Sequence, residues 1–244
     1  MAETMADTTK SAHISSMRQF KAILKKDIVM ELRTKEMLTS MGLYAVLVLV
    51  VYQIALSQAG SSFDVLRIAA GLLWLAIIFT SLLGLNRSLV HEKDQGCLDA
   101  LLLAPVDRPV IFFAKAIGNL LFLSIVVVII LPLFYFFFLA GKPLGGPLWM
   151  LPLPLIVGCI GIAGVGTLLA TMSVNTNGKD LILPVLFIPV MFPLLYASVA
   201  ATTAVLIGDP GYATVYWNSI ALGAGYDAIM LLAAYGLYEF IIGA

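Results

Sequence analysis

Charged residues are scarce in this chain. Aspartate, glutamate, lysine and arginine make up 11% of its 244 residues, whereas hydrophobic residues make up 61%. An ordinary soluble domain contains roughly 25% charged residues. So little charge excludes a soluble globular protein and predicts that the lipid bilayer surrounds most of the chain. Because the formal net charge is +0, the composition also gives no electrostatic basis for binding nucleic acid.

Cysteine and histidine are almost absent, with two of each. Cys97 and Cys159 fall in a loop and in an apolar run, so no disulfide is predicted. His13 and His91 both lie outside the apolar runs, which leaves no intramembrane histidine to ligate haem iron or relay protons. No GxxxxGK[ST] loop, HExxH motif or paired CxxC spacing occurs. We therefore predict that this chain itself has no catalytic residue, no metal site and no bound cofactor. Any energy that it uses would come from another polypeptide or from an ion gradient.

Six apolar runs are long enough to cross a bilayer, because a spanning helix needs roughly 20 apolar residues. They cover residues 38–57, 66–86, 111–140, 148–172, 181–207 and 218–242. The predicted fold class is therefore all-α, a polytopic membrane protein with six transmembrane helices that form one domain, residues 38–244. Residues 1–13 are polar and are predicted to form a disordered tail.

Basic residues indicate the orientation, because loops rich in lysine and arginine stay in the cytosol. Twelve of the 14 lysines and arginines fall before the first run or near the loops after the second and fourth runs, and only Arg67 and Lys142 fall on the opposite side. This predicts a multi-pass protein with both termini in the cytosol. Aromatic residues at the outer ends of the runs agree with this orientation: Trp149, Tyr212, Tyr216 and Trp217.

Residues 14–37 are predicted to form an amphipathic helix ahead of the first run. Apolar residues recur there at three- and four-residue spacing, while basic residues occupy the other face. The apolar set is Met17, Phe20, Leu24 and Ile28, and the basic set is Arg18, Lys25, Lys26 and Arg33. Such a helix lies in the membrane surface rather than across it, either as a simple anchor or as an elbow helix beside an ATPase.

The fourth and fifth runs have unusual compositions. The fourth contains four glycines, Gly158, Gly161, Gly164 and Gly166, which suit either tight packing within the chain or a subunit interface. The fifth contains Pro184, Pro189 and Pro193 in the stretch LILPVLFIPVMFPLLY. Because each proline removes a backbone donor, we expect either a kinked packing helix or a moving wall of a substrate path.

Two acids fall within the sixth run, Asp227 and Glu239. Charge in lipid is costly, so such residues usually face the protein interior or water. Glu239 is near the cytosolic end, where it can reach the headgroups. Asp227 is kept as a candidate site residue.

The loop between the second and third runs is the most informative part of the chain. Residues 91–115, HEKDQGCLDALLLAPVDRPVIFFAK, are too polar for lipid and too few for a domain. The first part can form a short helix with acids toward its N-terminus, as the helix dipole favours, and Pro105 ends it. We predict a cytosolic helix that contacts another protein, and the simpler alternative is a solvated loop.

The pattern E-x3-G-x-L-x2-LL-x2-P followed by a lysine resembles the cytosolic segment of ABC-2-type exporter permeases. Its members are Glu92, Gly96, Leu98, Leu101, Leu102, Pro105 and Lys115. Within that superfamily, the six-span layout, the short external loops and the proline run are similar to the haem exporter B family, the cytochrome c maturation permease CcmB. The resemblance extends from about residue 20 to the C-terminus, and Cys97 stands where a small or polar residue is expected.

The resemblance implies a homodimeric permease subunit in the bacterial inner membrane, with two copies of a separate ATPase subunit that binds ATP. The docking element, which we call the coupling segment (residues 91–105), would comprise Glu92, Asp94, Gly96, Leu98, Leu101, Leu102 and Pro105. A haem-handling membrane protein and a small accessory subunit are further implied partners, alongside membrane lipid. The complex would export haem, the implied cargo, or release a haem-loaded chaperone.

Other functions stay open. An ABC-2 exporter permease for a lipid, drug or polysaccharide would share the coupling segment but not the assembly. A secondary transporter would need paired intramembrane charges and inverted repeats, and an intramembrane enzyme would need a catalytic constellation. The sequence has no clear instance of either.

Overall fold

The fold was taken from a computed structural model, which describes residues 16–58, 64–94, 108–174 and 179–243. Side chains are described at 16–58, 64–86, 109–172 and 183–237. Within these ranges all regular structure is helical, and the predicted all-α class is confirmed. The predicted tail, residues 1–13, lies outside the described residues.

Six of the described helices are long and apolar enough to cross a membrane, as predicted. These spans are Glu36–Gln58, Val65–Asn86, Pro109–Leu139, Leu148–Met172, Leu183–Ile207 and Tyr212–Leu237. The first span therefore begins two residues earlier than the predicted 38, and the last begins six residues before the predicted 218. The larger shift arises because residues 212–217, which precede the predicted run, form the first turns of the same helix.

The described part of the chain forms seven α-helices in sequence. They are α1 (Ser16–Thr34), α2 (Glu36–Gln58), α3 (Val65–Asp94), α4 (Arg108–Phe134), α5 (Pro152–Val174), α6 (Lys179–Ile207) and α7 (Tyr212–Gly243). A π-helical turn, Tyr135–Leu139, follows α4, and a 3-10 turn, Leu148–Met150, precedes α5. Because successive spans alternate in direction, α1 lies at the same end as the connections α3–α4 and α5–α6. We call this the α1 end, and the opposite one the far end.

The centre of the bundle is α5, which packs against α3, α4, α6 and α7. In the span that contains α5, 78% of an 18-residue apolar stretch is buried inside the bundle, whereas in the span of α7 the buried share of such a stretch is 17%. The four glycines of α5 are all buried, and a side chain at Gly158 would collide with the Trp74 ring. Within this chain the glycines therefore serve close helix packing, the first of the two predicted alternatives.

Hydrogen bonds between side chains and neighbouring helices hold the spans together. Trp74 Nε1 donates to Thr202 Oγ1 over 2.9 Å, linking α3 to α6, and Asn119 Nδ2 donates to Thr167 Oγ1 over 2.9 Å, linking α4 to α5. The Tyr226 hydroxyl of α7 donates to the Val190 carbonyl of α6. Interhelical bonds of this kind in a membrane contribute about 0.6 to 2 kcal/mol each.

The far end is closed by the chain that joins α4 to α5. The Gly145 and Gly146 amides donate to the Leu206 and Val205 carbonyls of α6 at 3.1 and 3.0 Å. Gly145 is required there, because a Cβ would overlap the Ile207 carbonyl.

One of the aromatic residues predicted at the outer membrane interface is placed differently. Tyr216 is buried, and its hydroxyl donates to the Met150 carbonyl over 2.9 Å. Trp149 and Trp217 are exposed, as an interfacial position requires. Tyr216 is close to the outer end of its span, but its position on the helix directs the side chain inward, toward Met150.

Replacing Gly158 by alanine should destabilise the bundle, because the new methyl group meets a rigid, buried indole ring. Overpacking of this kind costs about 1–3 kcal/mol. The matched control is Gly42→Ala in α2, where a Cβ meets nothing within 4 Å and helix propensity favours alanine by up to about 1 kcal/mol. The thermal midpoint of the detergent-purified protein should fall for the first variant and not for the second. Equal midpoints would contradict the packing assignment.

Candidate coupling site at the α1 end of the bundle

The coupling segment is described only where it leaves α3. Residues 91–94 continue α3 as helix, and α4 begins at Arg108. The predicted docking residues Gly96, Leu98, Leu101, Leu102 and Pro105 lie outside the described residues, as do the side chains of Glu92 and Asp94. The last residue of the family pattern, Lys115, is fully described. Its contacts define the candidate site beside the coupling segment.

Lys115 forms a buried ion pair with Asp27 of α1. Its Nζ lies 2.9 Å from Asp27 Oδ2, with side chains only 6% and 10% exposed respectively. Lys26 Nζ lies 3.2 Å from the other carboxylate oxygen. Lys115 is six residues beyond Pro109, about 9 Å along the third span at 1.5 Å per residue. An unpaired ammonium at that position would be costly, so α1 supplies its counter-charge.

Apolar contacts surround this ion pair. Ile23, one turn before Asp27, is buried in a cluster with Ile111 and Phe112 of α4. The same cluster includes Leu168 of α5 and Ala234 of α7. Full burial of an isoleucine side chain contributes about 1.5–3 kcal/mol. α1 therefore packs mainly against α4, at the end from which the coupling segment emerges, and shares an apolar cluster with residues of α5 and α7.

A second acid of α1 caps the first membrane span. Glu31 Oε1 accepts the Leu38 amide over 2.8 Å, which satisfies one of the donors left unpaired in the first turn of α2. Between the two helices Lys35 has φ 54, a left-handed conformation that lets α2 start at once. A single residue, Lys35, thus joins α1 to α2, and the hydrogen bond from the Leu38 amide to the Glu31 carboxylate connects the two helices.

The buried stripe of α1 differs from the predicted apolar face. It consists of Ile23, Asp27 and Glu31, whereas Met17 is 61% exposed and Phe20, Leu24 and Ile28 are half-buried. The described helix runs Ser16–Thr34 and so ends three residues before the predicted 37, whereas the predicted start at 14 lies outside the described residues. Sequence reasoning missed the two acids because acids normally face water. Two features of the sequence could have identified them. Asp27 and Glu31 follow Ile23 at four-residue spacing, and Lys115 is a charged residue in an apolar helix, where it needs an acidic partner.

Asp227, the candidate in the sixth span, lies in the interior. It is 6% exposed and packs beside Gly161 of α5, where any side chain would collide with its carboxylate. Among the described residues, none hydrogen-bonds to its Oδ1. The side chain of Glu239 lies outside the described residues. In the described part of the chain, no group of three His, Cys, Asp or Glu side chains could hold a metal ion.

The three prolines of the fifth span all lie within one α-helix, α6. Pro189 and Pro193 are exposed on its outer surface, and Pro184 is half-buried. An open groove of about 640 Å³ lies between α3 and α6 near the far end, and its walls include Arg67, Phe192, Tyr196 and Tyr212 but none of these prolines. A second open groove, about 770 Å³ and almost wholly apolar, lies between α4 and α5. The idea that these prolines form a wall of a substrate path stays a prediction without support from either groove.

Comparison with known proteins gives a consistent result. A family profile described as CcmB protein matches residues 18–235, a range that includes most of α1 and α7 and everything between them. A protein named Heme exporter protein B from Rhodobacter capsulatus is 29% identical over 176 residues, which cover 72% of this chain and 78% of the relative. A protein of the same name from Haemophilus influenzae is 22% identical over 226 residues, which cover 92% and 96%.

Removing one partner of the buried ion pair should be strongly destabilising. Asp27→Leu or Lys115→Met removes the 2.9 Å contact between the two buried charges, and breaking a buried pair from one side costs about 3–5 kcal/mol. The loss should be smaller for Lys115→Met, because Lys26 Nζ stays 3.2 Å from the Asp27 carboxylate. The double variant should recover most of that loss, because an apolar pair of similar volume is often neutral or better. Thermal unfolding of the purified variants, arranged as a double-mutant cycle, measures this coupling.

The control is Arg67→Met, which breaks an ion pair of similar length, 3.2 Å, whose side chains are 65% and 55% exposed. Exposed pairs contribute about 0–1 kcal/mol. A double variant no more stable than the weaker single variant would contradict a pairwise role. So would equal losses from Arg67→Met and Lys115→Met.

Proposed function

The chain belongs to the CcmB family, and we propose that it is the membrane-spanning permease subunit of an ABC transporter complex for cytochrome c maturation. The observation that carries this proposal is the family match over residues 18–235, a range that begins in α1, includes the coupling segment and ends in α7. The relatives' name, Heme exporter protein B, supports haem transport as the process. Six helices able to cross a membrane give the chain the architecture of a permease.

The energy source in this proposal is a separate ATPase subunit. The chain has no phosphate-binding loop of its own, so it depends on a partner for nucleotide hydrolysis. That partner docks on the coupling segment, where Leu98, Leu101 and Leu102 supply apolar contacts and Glu92 and Asp94 supply charge. Two ATPase copies bind a homodimer of this chain, one on each coupling segment.

Force applied to the coupling segment reaches the membrane through two helices, because α3 leads into it and α4 leaves it. α4 is attached to α1 by the Asp27–Lys115 pair, and α1 is attached to the start of α2 by Glu31. A displacement of the segment therefore moves α1 and α4 as one unit and changes the angle of α2 at Lys35. Asp27 and Lys115 are positioning residues in this scheme, since their contact holds α1 against α4.

Haem is the proposed cargo of the complex, either exported or released with a haem-loaded chaperone. Both histidines of the chain, His13 and His91, lie outside the spans, so the spans offer no histidine as an axial ligand. We therefore assign haem binding to a haem-handling membrane protein, with a small accessory subunit completing the assembly. The complex is located in the bacterial inner membrane with both termini of this chain in the cytosol, as the distribution of lysine and arginine favours.

A second candidate function is an ABC-2 permease for a lipid, a drug or a polysaccharide. The observation that favours a lipid is the open, almost wholly apolar groove of about 770 Å³ between α4 and α5. This candidate uses the same coupling segment and differs in cargo and partners.

Replacing Glu92 and Leu102 together by alanine should weaken capture of the ATPase by the purified complex about tenfold or more, because truncating interface hot spots costs about 2 kcal/mol or more. Membrane insertion should be unchanged. The matched control is Leu148→Ala with Asp209→Ala, two exposed residues at the far end. Mild-detergent purification followed by quantification of co-purifying chains makes the measurement. Undiminished ATPase capture by the first variant would refute the docking assignment.

Haem should co-purify with the complete complex and not with this subunit purified alone. The physical reason is that the spans contain no histidine to ligate the iron. Absorbance spectra of the two preparations, normalised to the amount of this chain, give the ratio. Stoichiometric haem on the isolated subunit would overturn the assignment to a partner, and a complex without haem but with bound lipid would favour the second candidate function.

A further inference from the structure

The outward face of α1 takes no part in the contacts described above, and we propose that it binds the headgroups of anionic phospholipids. This outward face consists of Arg18, Lys21, Ala22, Lys25, Val29, Leu32 and Arg33, all of them exposed. The inference rests on the proposed orientation, in which the α1 end faces the cytosol.

Charge on α1 is sorted by face. The helix contains five basic residues and two acids, and both acids point into the bundle, where Asp27 pairs with Lys115 and Glu31 caps α2. No acid is left on the outward face. The four cations of that face, Arg18, Lys21, Lys25 and Arg33, form no ion pair with any residue that the structure describes. Their charge is therefore available to an anionic partner from outside this part of the chain.

Apolar side chains are interleaved with these cations. Val29 is 40% exposed and Leu32 is 57% exposed, and Lys25, Val29 and Arg33 line one shallow surface groove. In water such residues would only add exposed apolar area. At a membrane surface they insert into the boundary between headgroups and acyl chains, while lysine and arginine extend their charged ends to the phosphates.

The depth of α1 in the bundle matches that location. Ile23 on its inward face is buried in one apolar cluster with Ile111 and Phe112, near the start of the third span, and with Ala234, near the end of the sixth. The helix therefore lies beside the last turns of the spans, at the level of the headgroups rather than out in the cytosol. The cytoplasmic leaflet carries anionic lipids that attract basic segments at this depth. A lipid surface explains both the charge and the apolar residues, whereas an acidic protein surface would explain only the charge.

The test compares two variants that each remove two positive charges. Lys25→Gln with Arg33→Gln alters the outward face, and Arg67→Gln with Lys142→Gln is the control, because its residues lie toward the far end. The full-length protein is reconstituted in nanodiscs of phosphatidylcholine containing phosphatidylglycerol, and native mass spectrometry measures the retained phosphatidylglycerol. Each basic residue near an anionic surface strengthens binding about fivefold, so the first variant should bind it about thirtyfold more weakly. The control should bind it as the wild type does.

Two outcomes of the lipid measurement would overturn the inference: unchanged phosphatidylglycerol binding in the first variant, or an equal loss in the control. A third is capture of the ATPase that falls while phosphatidylglycerol binding is preserved, which would assign the face to a protein partner. If phosphatidylglycerol binding falls as expected but the wild-type chain captures no ATPase, the lipid surface stands and the proposed function fails.

Orientation is checked in the same cells, because removing basic residues can alter insertion. Cys97 serves as the reporter, since Cys159 is buried. A membrane-impermeant maleimide should label Cys97 only from the cytosolic side, in the wild type and in both variants. Labelling of the wild type only from the outside would place α1 in the opposite leaflet and overturn the inference.

Discussion

A single buried ion pair, Asp27 with Lys115, determines how α1 sits on this bundle. Lys115 lies inside the third span, where an unpaired charge is costly, so α1 must turn Asp27 toward it. That rotation carries Glu31, one turn later, to the start of α2. It also turns the basic residues of α1 away from the protein. The cap on the first span and the cationic outward face are thus both consequences of one charge that had to be neutralised.

The rest of the bundle is organised around α5, whose glycines let other helices approach closely. Trp74 fits against Gly158 and Asp227 fits against Gly161, so the absence of a side chain at each glycine makes room for a large or polar one from another helix. Side-chain hydrogen bonds then fix neighbouring helices in register, as between Trp74 and Thr202. Because lipid is as apolar as leucine, these close contacts and hydrogen bonds stabilise the bundle where the hydrophobic effect does little. The outer faces of α2, α6 and α7 stay apolar and exposed within one chain, available to lipid or to a second copy.

Family membership and geometry contribute different parts of the functional proposal. The family match over residues 18–235 supports a permease role, and the relatives' name supports haem. The geometry supplies a mechanical connection, because the helix that leaves the coupling segment is tied to α1 and through it to α2. A segment that receives force is useful only if the helices behind it move together. In the proposed mechanism, the Asp27–Lys115 pair would provide that rigidity close to where force enters the membrane.

The amino-acid sequence by itself determined the six spans and the all-α class, since hydropathy over roughly 20 residues depends only on local composition. It also determined the pattern around Glu92 to Lys115 that indicated the family. It left undecided whether the glycines of α5 serve packing within the chain. It predicted Tyr216 at the membrane interface, and it indicated buried acids only in the sixth span. The tertiary structure decided that Tyr216 is buried, that Asp27 and Glu31 face inward and that Asp227 lies against Gly161. These facts depend on which helix faces which, and partners such as Asp27 and Lys115 are 88 residues apart in the chain. Local periodicity carries no information about a counter-charge that arrives from another helix.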